Sequence, residues 1–106
     1  MMLTVRLEAC SADQRHFRAY ELTVCPDLFG CWIVERTYGR IGRSGRTLTK
    51  SFSTREEARG EVKACLDRRA SAPRRIGVAY ELLEVTGFAD SRISDLEELR
   101  GALVSW

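Results

Sequence analysis

The alternation of apolar and polar positions along the chain predicts a protein built mainly from strands. Five segments have this pattern or are rich in aromatic and β-branched residues, namely residues 2–9, 17–25, 31–38, 46–53 and 78–85. A turn over residues 26–30, which contains proline, aspartate and glycine, separates the second segment from the third. The second, third and fourth segments are therefore expected to form an antiparallel meander.

A long helix is predicted after the fourth strand. It starts at a capping box, formed either by Ser53 with Glu56 or by Thr54 with Glu57. The apolar stripe that follows has helical spacing and consists of Ala58, Val62, Cys65 and Leu66. Because a proline at position 73 does not continue a helix, we expect the helix to end near residue 71 and residues 74–77 to be a linker.

A shorter helix is predicted near the C-terminus, after a loop over residues 87–92. Ser94 and Glu97 form a second capping box, and leucines 96, 99 and 103 follow at helical spacing. Strands with one or two helices packed on a single sheet face make an α+β domain. We expect residues 1–85 to form this domain. Residues 86–106 are then a C-terminal extension, either packed on the same domain or used for association.

The composition is that of an ordinary globular domain. The 106 residues are 44% apolar and 30% charged. No apolar run approaches the roughly 20 residues that cross a bilayer, and the first ten residues lack the long apolar stretch of a signal peptide. We therefore expect a cytoplasmic protein that has no membrane partner.

The net charge of +2 conceals a strong asymmetry along the chain. Residues 1–35 carry a net charge of −2, residues 36–75 carry +8, and residues 76–106 carry −4. A block at +8 that is mostly arginine attracts polyanions such as nucleic acids. The alternative is that these charges are spread over a well-solvated surface.

Glycine and arginine repeat at the centre of this basic block. Glycine occupies positions 39, 42 and 45, and an arginine follows each of them at 40, 43 and 46. Glycine lets the backbone come close to another molecule, and the planar guanidinium suits phosphate. With Tyr38 directly before it, this loop is chemically suited to a nucleic-acid backbone or end. It lacks the strand–loop–helix context of a P-loop, so nucleotide hydrolysis is not expected.

The residues that catalysis or metal binding needs are scattered. His16 is the one histidine, and no nucleophile–base pair or converging carboxylates can be nominated, so we do not expect an enzyme. The cysteines at 10, 25, 31 and 65 lack the short spacing of a zinc site, and no cofactor is expected. Cys25 and Cys31 flank a turn in a way that allows a disulfide, but a reducing cytosol argues against one.

Segment 20–46 closely resembles the WGR domain, which occurs in poly(ADP-ribose) polymerases and as small stand-alone bacterial proteins. The matching residues are Tyr20-Glu21-Leu22, Asp27-Leu28-Phe29-Gly30, Trp32, Arg36 and Tyr38-Gly39-Arg40-Ile41-Gly42, with Gly45, Phe52 and Ala58. The resemblance covers about residues 1–80. It implies a five-stranded antiparallel sheet with one long helix across it, while residues 86–106 lie outside the resemblance.

The resemblance also implies a role at DNA ends. In the polymerases the signature aromatic residue sits against a terminal sugar, and the signature arginine reaches the backbone or a neighbouring domain. The corresponding residues here are Tyr38 and Arg40. Tyr38 replaces the tryptophan that names the family, and its smaller ring offers less stacking area. This ring is either a stacking platform for a sugar or base, or a core residue at the end of a strand.

These observations together predict a non-catalytic module that contacts the backbone or ends of DNA, with RNA as an alternative polyanion. The predicted contact residues are Tyr38, Gly39, Arg40, Arg43, Arg46, Lys50, Arg74 and Arg75. The alternative function is a protein–protein interaction or scaffolding domain that uses the same loop and the C-terminal helix, with a homodimer as one form of it.

Two arginines have a structural interpretation beside the functional one. Arg40 either holds a phosphate or pairs with a carboxylate, Asp27 or Glu35, and so pins the loop to the sheet. Arg36 lies on the same strand face as Trp32, which favours stacking of its guanidinium on the indole ring.

Overall fold

The computed structural model describes residues 3–87 and 93–103, which form five strands and three helices. In chain order they are β1 (Leu3–Ser11), β2 (His16–Pro26), β3 (Trp32–Arg40), β4 (Arg46–Phe52), α1 (Arg55–Ala70), α2 (Ala72–Ile76), β5 (Glu81–Thr86) and α3 (Leu96–Ala102). The predicted α+β architecture is confirmed. None of the helices in these two ranges is long and apolar enough to span a bilayer.

The five strands form one antiparallel sheet in the order β4-β3-β2-β1-β5. Strands β2, β3 and β4 make the expected meander, while β5 returns to pair with the free side of β1. The ladder between β1 and β5 contains a register shift between Arg6 and Leu7. Across the sheet, Leu7 lies opposite Tyr20 and Tyr20 lies opposite Tyr38, so these three side chains are on one face.

That face carries α1 and encloses the core. The alternate residues Leu3, Val5 and Leu7 of β1 are at most 1% exposed, as the period-2 pattern predicts. The buried residues of α1 are the predicted stripe, Ala58, Val62, Cys65 and Leu66. At the start of α1, the backbone N–H of Glu57 donates to Thr54 Oγ1 at 3.2 Å, so the second of the two proposed caps is the one that forms.

The segment predicted to be a linker at residues 74–77 is in fact mostly α2. Pro73 lies in the first turn of this helix, where the missing N–H costs nothing because first-turn N–H groups have no partner within the helix. Gly77 ends α2 with a φ of 78°. Arg75 joins α2 to α1, because its Nε donates to Ser71 Oγ at 2.9 Å and its guanidinium also donates to the Arg68 carbonyl at 2.6 Å.

Two other boundaries differ from the prediction. Strand β5 begins at Glu81 rather than at residue 78, because its ladder with β1 starts at the pair Glu8–Glu81. The cap of α3 is Asp95 rather than Ser94, with the Glu98 N–H donating to Asp95 Oδ1 at 2.8 Å. Both residues are good caps, and the helix starts at the later one. Most of the predicted loop over 87–92 lies outside the described residues.

The leucines of α3 join the core beneath α1. Leu99 and Leu103 are 0% and 1% exposed, and both belong to the same apolar cluster as the buried residues of β1 and α1. Arg100 fixes the helix from outside, because it pairs with Asp67 of α1 at 2.9 Å and with Glu97 at 2.7 Å. These leucines are therefore not an exposed stripe.

Candidate nucleic-acid interface

The face of the sheet that carries α1 becomes cationic toward one end. Strand pairing places Arg18 opposite Arg40, and it places Tyr38 between Tyr20 and Arg46. Because side chains at alternate positions share a face, Arg18, Tyr20, Tyr38 and Arg46 project on the α1 side. Arg40 starts on the same side, but its guanidinium lies over the ring of Phe17, a residue of the other face. Arg18 and Arg46 are exposed, so this end of the sheet presents two guanidinium groups beside one half-buried tyrosine.

The last turn of α1 and the short α2 add further arginines over the same end. Two adjoining cavities open there, of about 280 and about 240 Å³, and together we call them the basic cleft. The first, the inner cavity, is lined by Tyr20, Arg36, Tyr38, Arg68 and Arg69. The second is lined by His16, Arg18, Ala19, Tyr38, Gly39, Arg68, Arg69, Arg75, Ile76 and Tyr80. Tyr38 packs against the core and also lines both cavities, so its ring is partly buried and partly accessible.

Arg40 has no ion pair within the described residues. Its guanidinium carbon lies 5.7 Å from the centroid of the Phe17 ring, and the side chain is exposed. The suggested pairing with Asp27 or Glu35 does not form. Asp27 is at the other end of β3, where its Oδ1 accepts the N–H groups of Phe29 at 2.8 Å and of Cys31 at 2.9 Å. The guanidinium of Arg40 thus remains available at the surface.

The predicted stacking of Arg36 on Trp32 was wrong. An N–H of Arg36 instead points to Cys65 Sγ at 3.7 Å, which directs this arginine toward α1 and the inner cavity. The ring of Trp32 is covered by Arg55 of α1, whose guanidinium carbon is 5.9 Å from the ring centroid. When a helix packs over a strand face, a cation of the helix can contact an aromatic ring on that face in place of a cation from the same strand.

The loop between β3 and β4 folds back closely onto β3. A Cβ atom on Gly45 would lie 2.6 Å from the Tyr38 carbonyl oxygen, and one on Gly39 would lie 3.0 Å from the Gly45 Cα. The Ile41 N–H donates to the Phe17 carbonyl at 3.0 Å, which extends the pairing with β2 into the loop. Gly42 adopts a φ of 81°. The glycines therefore allow the loop backbone to pack closely against β3.

A family model of the WGR domain matches residues 3–71. The chain belongs to the WGR family. The matched region runs from the start of β1 to the residue that follows α1, and it includes the Tyr38-Gly39-Arg40 signature. No curated protein matches the chain significantly.

In this WGR domain the structure brings together only part of the predicted contact set. Tyr38, Gly39 and Arg75 line the basic cleft, and Arg46 lies opposite Tyr38 beside it. The other four predicted residues line neither cavity of the cleft. Arg40 and Arg43 line a small cavity of about 120 Å³, together with Tyr38, Gly39 and residues of the opposite sheet face such as Arg6 and Glu21. Lys50 pairs with Glu61 at 3.3 Å, and Arg74 is exposed on α2 without lining either cavity of the cleft.

Sequence reasoning gave Arg36 only a structural role, and it assigned no role in binding to four other cleft residues, namely Arg18, Arg68, Arg69 and Tyr80. A signal existed for one of them, because Arg18 is two positions before Tyr20 on the same strand and must share its face. No comparable signal existed for the other three. Their place in the cleft depends on the direction in which α1 crosses the strands, and the sequence does not give that direction.

The face of the sheet opposite α1 has the opposite charge. Glu21, Glu35 and Glu84 are exposed there, and Arg6 lies among them, 3.4 Å from Glu21 and 3.5 Å from Glu84. Arg43 lines the small cavity beside Arg6. We call this the open face. The distribution of charge in the WGR domain therefore favours the approach of a polyanion from the cleft side over the open face.

Two glycine-to-alanine substitutions test the loop geometry. Gly45→Ala is expected to lower the free energy of unfolding by about 1–3 kcal/mol, because the new methyl group has to displace the backbone at Tyr38. Gly60→Ala is the matched control, since its Cβ meets nothing within 4 Å in α1, and it should raise stability by about 0.5–1 kcal/mol. Urea unfolding followed by circular dichroism measures both. A Gly45→Ala variant as stable as the wild type would contradict the close approach.

Proposed function

We propose that this WGR domain is a non-catalytic module that binds nucleic acid, with the backbone or end of DNA held against the basic cleft. The observation that carries the proposal is the composition of the cleft. Five arginines line it, namely Arg18, Arg36, Arg68, Arg69 and Arg75, and none of its described lining residues is a carboxylate. Such a site attracts phosphate, and guanidinium groups suit phosphate geometry.

Tyr38 supplies the second element of the proposal. Its ring is half-buried at the mouth of both cavities, with Gly39 directly after it in the second. An aromatic ring fixed in this way offers a surface on which a terminal sugar or base stacks, with a contribution of about 1–3 kcal/mol per base. Membership of the WGR family supports DNA as the polyanion, and RNA remains the alternative with the same backbone chemistry.

A catalytic role is not part of the proposal. His16 is the one histidine that lines the cleft, and no carboxylate, serine or cysteine lines it among the described residues. General acid–base chemistry needs a group placed to give or take a proton, and nucleophilic catalysis needs a nucleophile beside a base. The cleft offers binding groups instead.

Fluorescence anisotropy with a labelled duplex tests the proposal. If about four phosphates are neutralised, the association constant should fall on the order of 100-fold between 50 and 200 mM salt, because each contact releases condensed counterions. A covalently closed circle and a linear fragment of equal mass, used as competitors, separate backbone binding from end binding. Absence of binding at micromolar protein in 50 mM salt would refute the proposal.

The alternative of a scaffolding domain relied partly on the C-terminal helix. Leu99 and Leu103 are buried in the core, so α3 offers no leucine stripe for a partner. The described apolar side chains that are most exposed are Leu28 and Phe29, at 98% and 89%, on the turn at the opposite end of β3 from the cleft. Nothing among the described residues shows what would cover them, and we do not propose this function.

A further inference from the structure

The inner cavity of the basic cleft contains hydrogen-bond donors without matching acceptors. Its volume is about 280 Å³, and it lies between β3, which contributes Arg36 and Tyr38, and the last turn of α1, which contributes Arg68 and Arg69. Tyr20 of β2 completes the lining. Three guanidinium groups and two tyrosines thus surround one space, and no carboxylate lines it.

The guanidinium of Arg69 packs against two aromatic rings. Its guanidinium carbon lies 4.4 Å from the centroid of the Tyr20 ring and 5.6 Å from that of Tyr80. Rings that occupy the flat sides of a guanidinium leave its N–H edge for other partners. The Nε of Arg69 is buried and has no hydrogen-bond partner among the described residues. An unpaired buried donor destabilises the folded chain, so a ligand that supplies an acceptor gains binding energy here.

The hydroxyl group of Tyr20 is a second poorly paired donor. Tyr20 is only 2% exposed, and its buried hydroxyl has no oxygen or nitrogen partner within the described residues, with only the weakly accepting Cys65 sulfur beside it. Burial, followed by the neighbouring Cys65 thiol, raises the pKa of Tyr20 well above its usual value. The hydroxyl therefore keeps its proton and is able to donate.

The charge of the cavity is only partly offset from the core side, because no carboxylate pairs directly with Arg36 and only Glu61 acts on it from a distance. Arg36 donates to Cys65 Sγ at 3.7 Å, and sulfur is a weak acceptor. Glu61, the carboxylate nearest to this contact, lies 3.8 Å from the Cys65 sulfur and pairs with Lys50 at 3.3 Å. The local excess of positive charge therefore faces the cavity.

We propose that the inner cavity is a discrete site for one phosphate group, held by the guanidinium edges of Arg36, Arg68 and Arg69 and by the hydroxyl of Tyr20. A compact oxyanion provides what the cavity lacks, which is negative charge and several acceptors directed to different sides. The phosphate comes either from a small phosphate compound or from a nucleic-acid strand. The site does not require the nucleic-acid function proposed above.

Isothermal titration calorimetry of inorganic phosphate against the full chain, in a low-chloride buffer, tests this site. Wild-type protein should bind one equivalent at millimolar phosphate or below. Arg69→Gln should weaken binding at least about tenfold, because it removes a charge-assisted contact. Arg74→Gln removes the same charge from an exposed position that does not line the cavity, and it should leave the affinity unchanged.

Tyr20→Phe provides a test that is independent of charge. The variant should bind phosphate several-fold more weakly, yet its thermal unfolding midpoint should not fall, because the hydroxyl has only a weak sulfur neighbour in the free protein. Phosphate that produces no binding heat at millimolar concentration would overturn the proposal. So would phosphate that binds Arg69→Gln and Tyr20→Phe as tightly as it binds the wild type.

Competition against a labelled DNA duplex identifies the source of the phosphate. If inorganic phosphate displaces the duplex from wild-type protein, the site takes a strand phosphate. If both bind together, it takes a small phosphate compound. Duplex binding without any phosphate heat would overturn the site while leaving the nucleic-acid proposal standing. Phosphate binding without duplex binding would support the phosphate site and overturn the nucleic-acid proposal.

Discussion

Replacing Arg18, Arg40 and Arg46 together by glutamine is expected to lower the affinity for a DNA duplex on the order of 100-fold. These three exposed arginines lie near Tyr38 at the end of the sheet, and none has an ion pair within the described residues. If each contributes about 1 kcal/mol, a factor of about five in affinity, their joint loss gives this value. The slope of log affinity against log salt should become shallower by about three. Anisotropy titrations at several salt concentrations measure both quantities.

A matched triple variant separates the cleft from the net charge. Replacing Arg6, Lys50 and Lys63 by glutamine removes the same charge from cations that already pair with Glu21, Glu61 and Asp67 respectively. Its affinity should stay within a few-fold of the wild type. Equal losses in the two variants would mean that the overall charge of the chain, and not the cleft, determines binding. Lys50 belongs to this control because the structure pairs it with α1.

Replacing Leu99 by alanine is expected to lower the free energy of unfolding by about 2–5 kcal/mol. Leu99 is fully buried in the cluster that joins α3 to α1 and β1. Its truncation removes buried apolar surface and leaves a space that the surrounding side chains fill only in part. Urea unfolding should show a lower midpoint with a similar slope, since the loss is one of stability and not of compactness.

Leu83→Ala is the control for this experiment. Leu83 is 53% exposed on β5, and its truncation should change stability by no more than about 0.5–1 kcal/mol. If Leu99→Ala left the unfolding midpoint of the full chain unchanged, α3 would not be part of the core. That result would support the expected boundary between a domain that ends at residue 85 and a separate extension. A large loss of stability would instead show that residues 93–103 unfold together with the rest of the domain.

The sheet and the long helix were predictable because their determinants are local. The period-2 pattern of Leu3, Val5 and Leu7 and the stripe that ends at Leu66 appear directly in the spacing of apolar residues, and both faces are buried as expected. The turn after β2 was predictable for the same reason, since Gly30 has a φ of 83° and Asp27 accepts two nearby backbone N–H groups.

The cleft was only partly predictable because its side chains come from separate elements. Tyr38 was predicted from the glycine–arginine loop that follows it and from the family resemblance, but Arg68 and Arg69 reach the same space only through the path of α1 over the sheet. The helix over residues 72–76 was missed because Pro73 was interpreted only as the end of the long helix. Proline also suits the first turn of a new helix, which is where it lies here.

The central claim is that a polyanion binds the cleft side of this WGR domain at the end marked by Tyr38. Mapping amide chemical shifts by NMR during titration with a short DNA duplex tests it most directly. The largest changes should fall at residues 18, 38–40, 46 and 68–75, while Glu35, Glu84 and the turn at 27–31 stay unchanged. Changes centred on the open face or on that turn, or no changes at low salt, would contradict the claim.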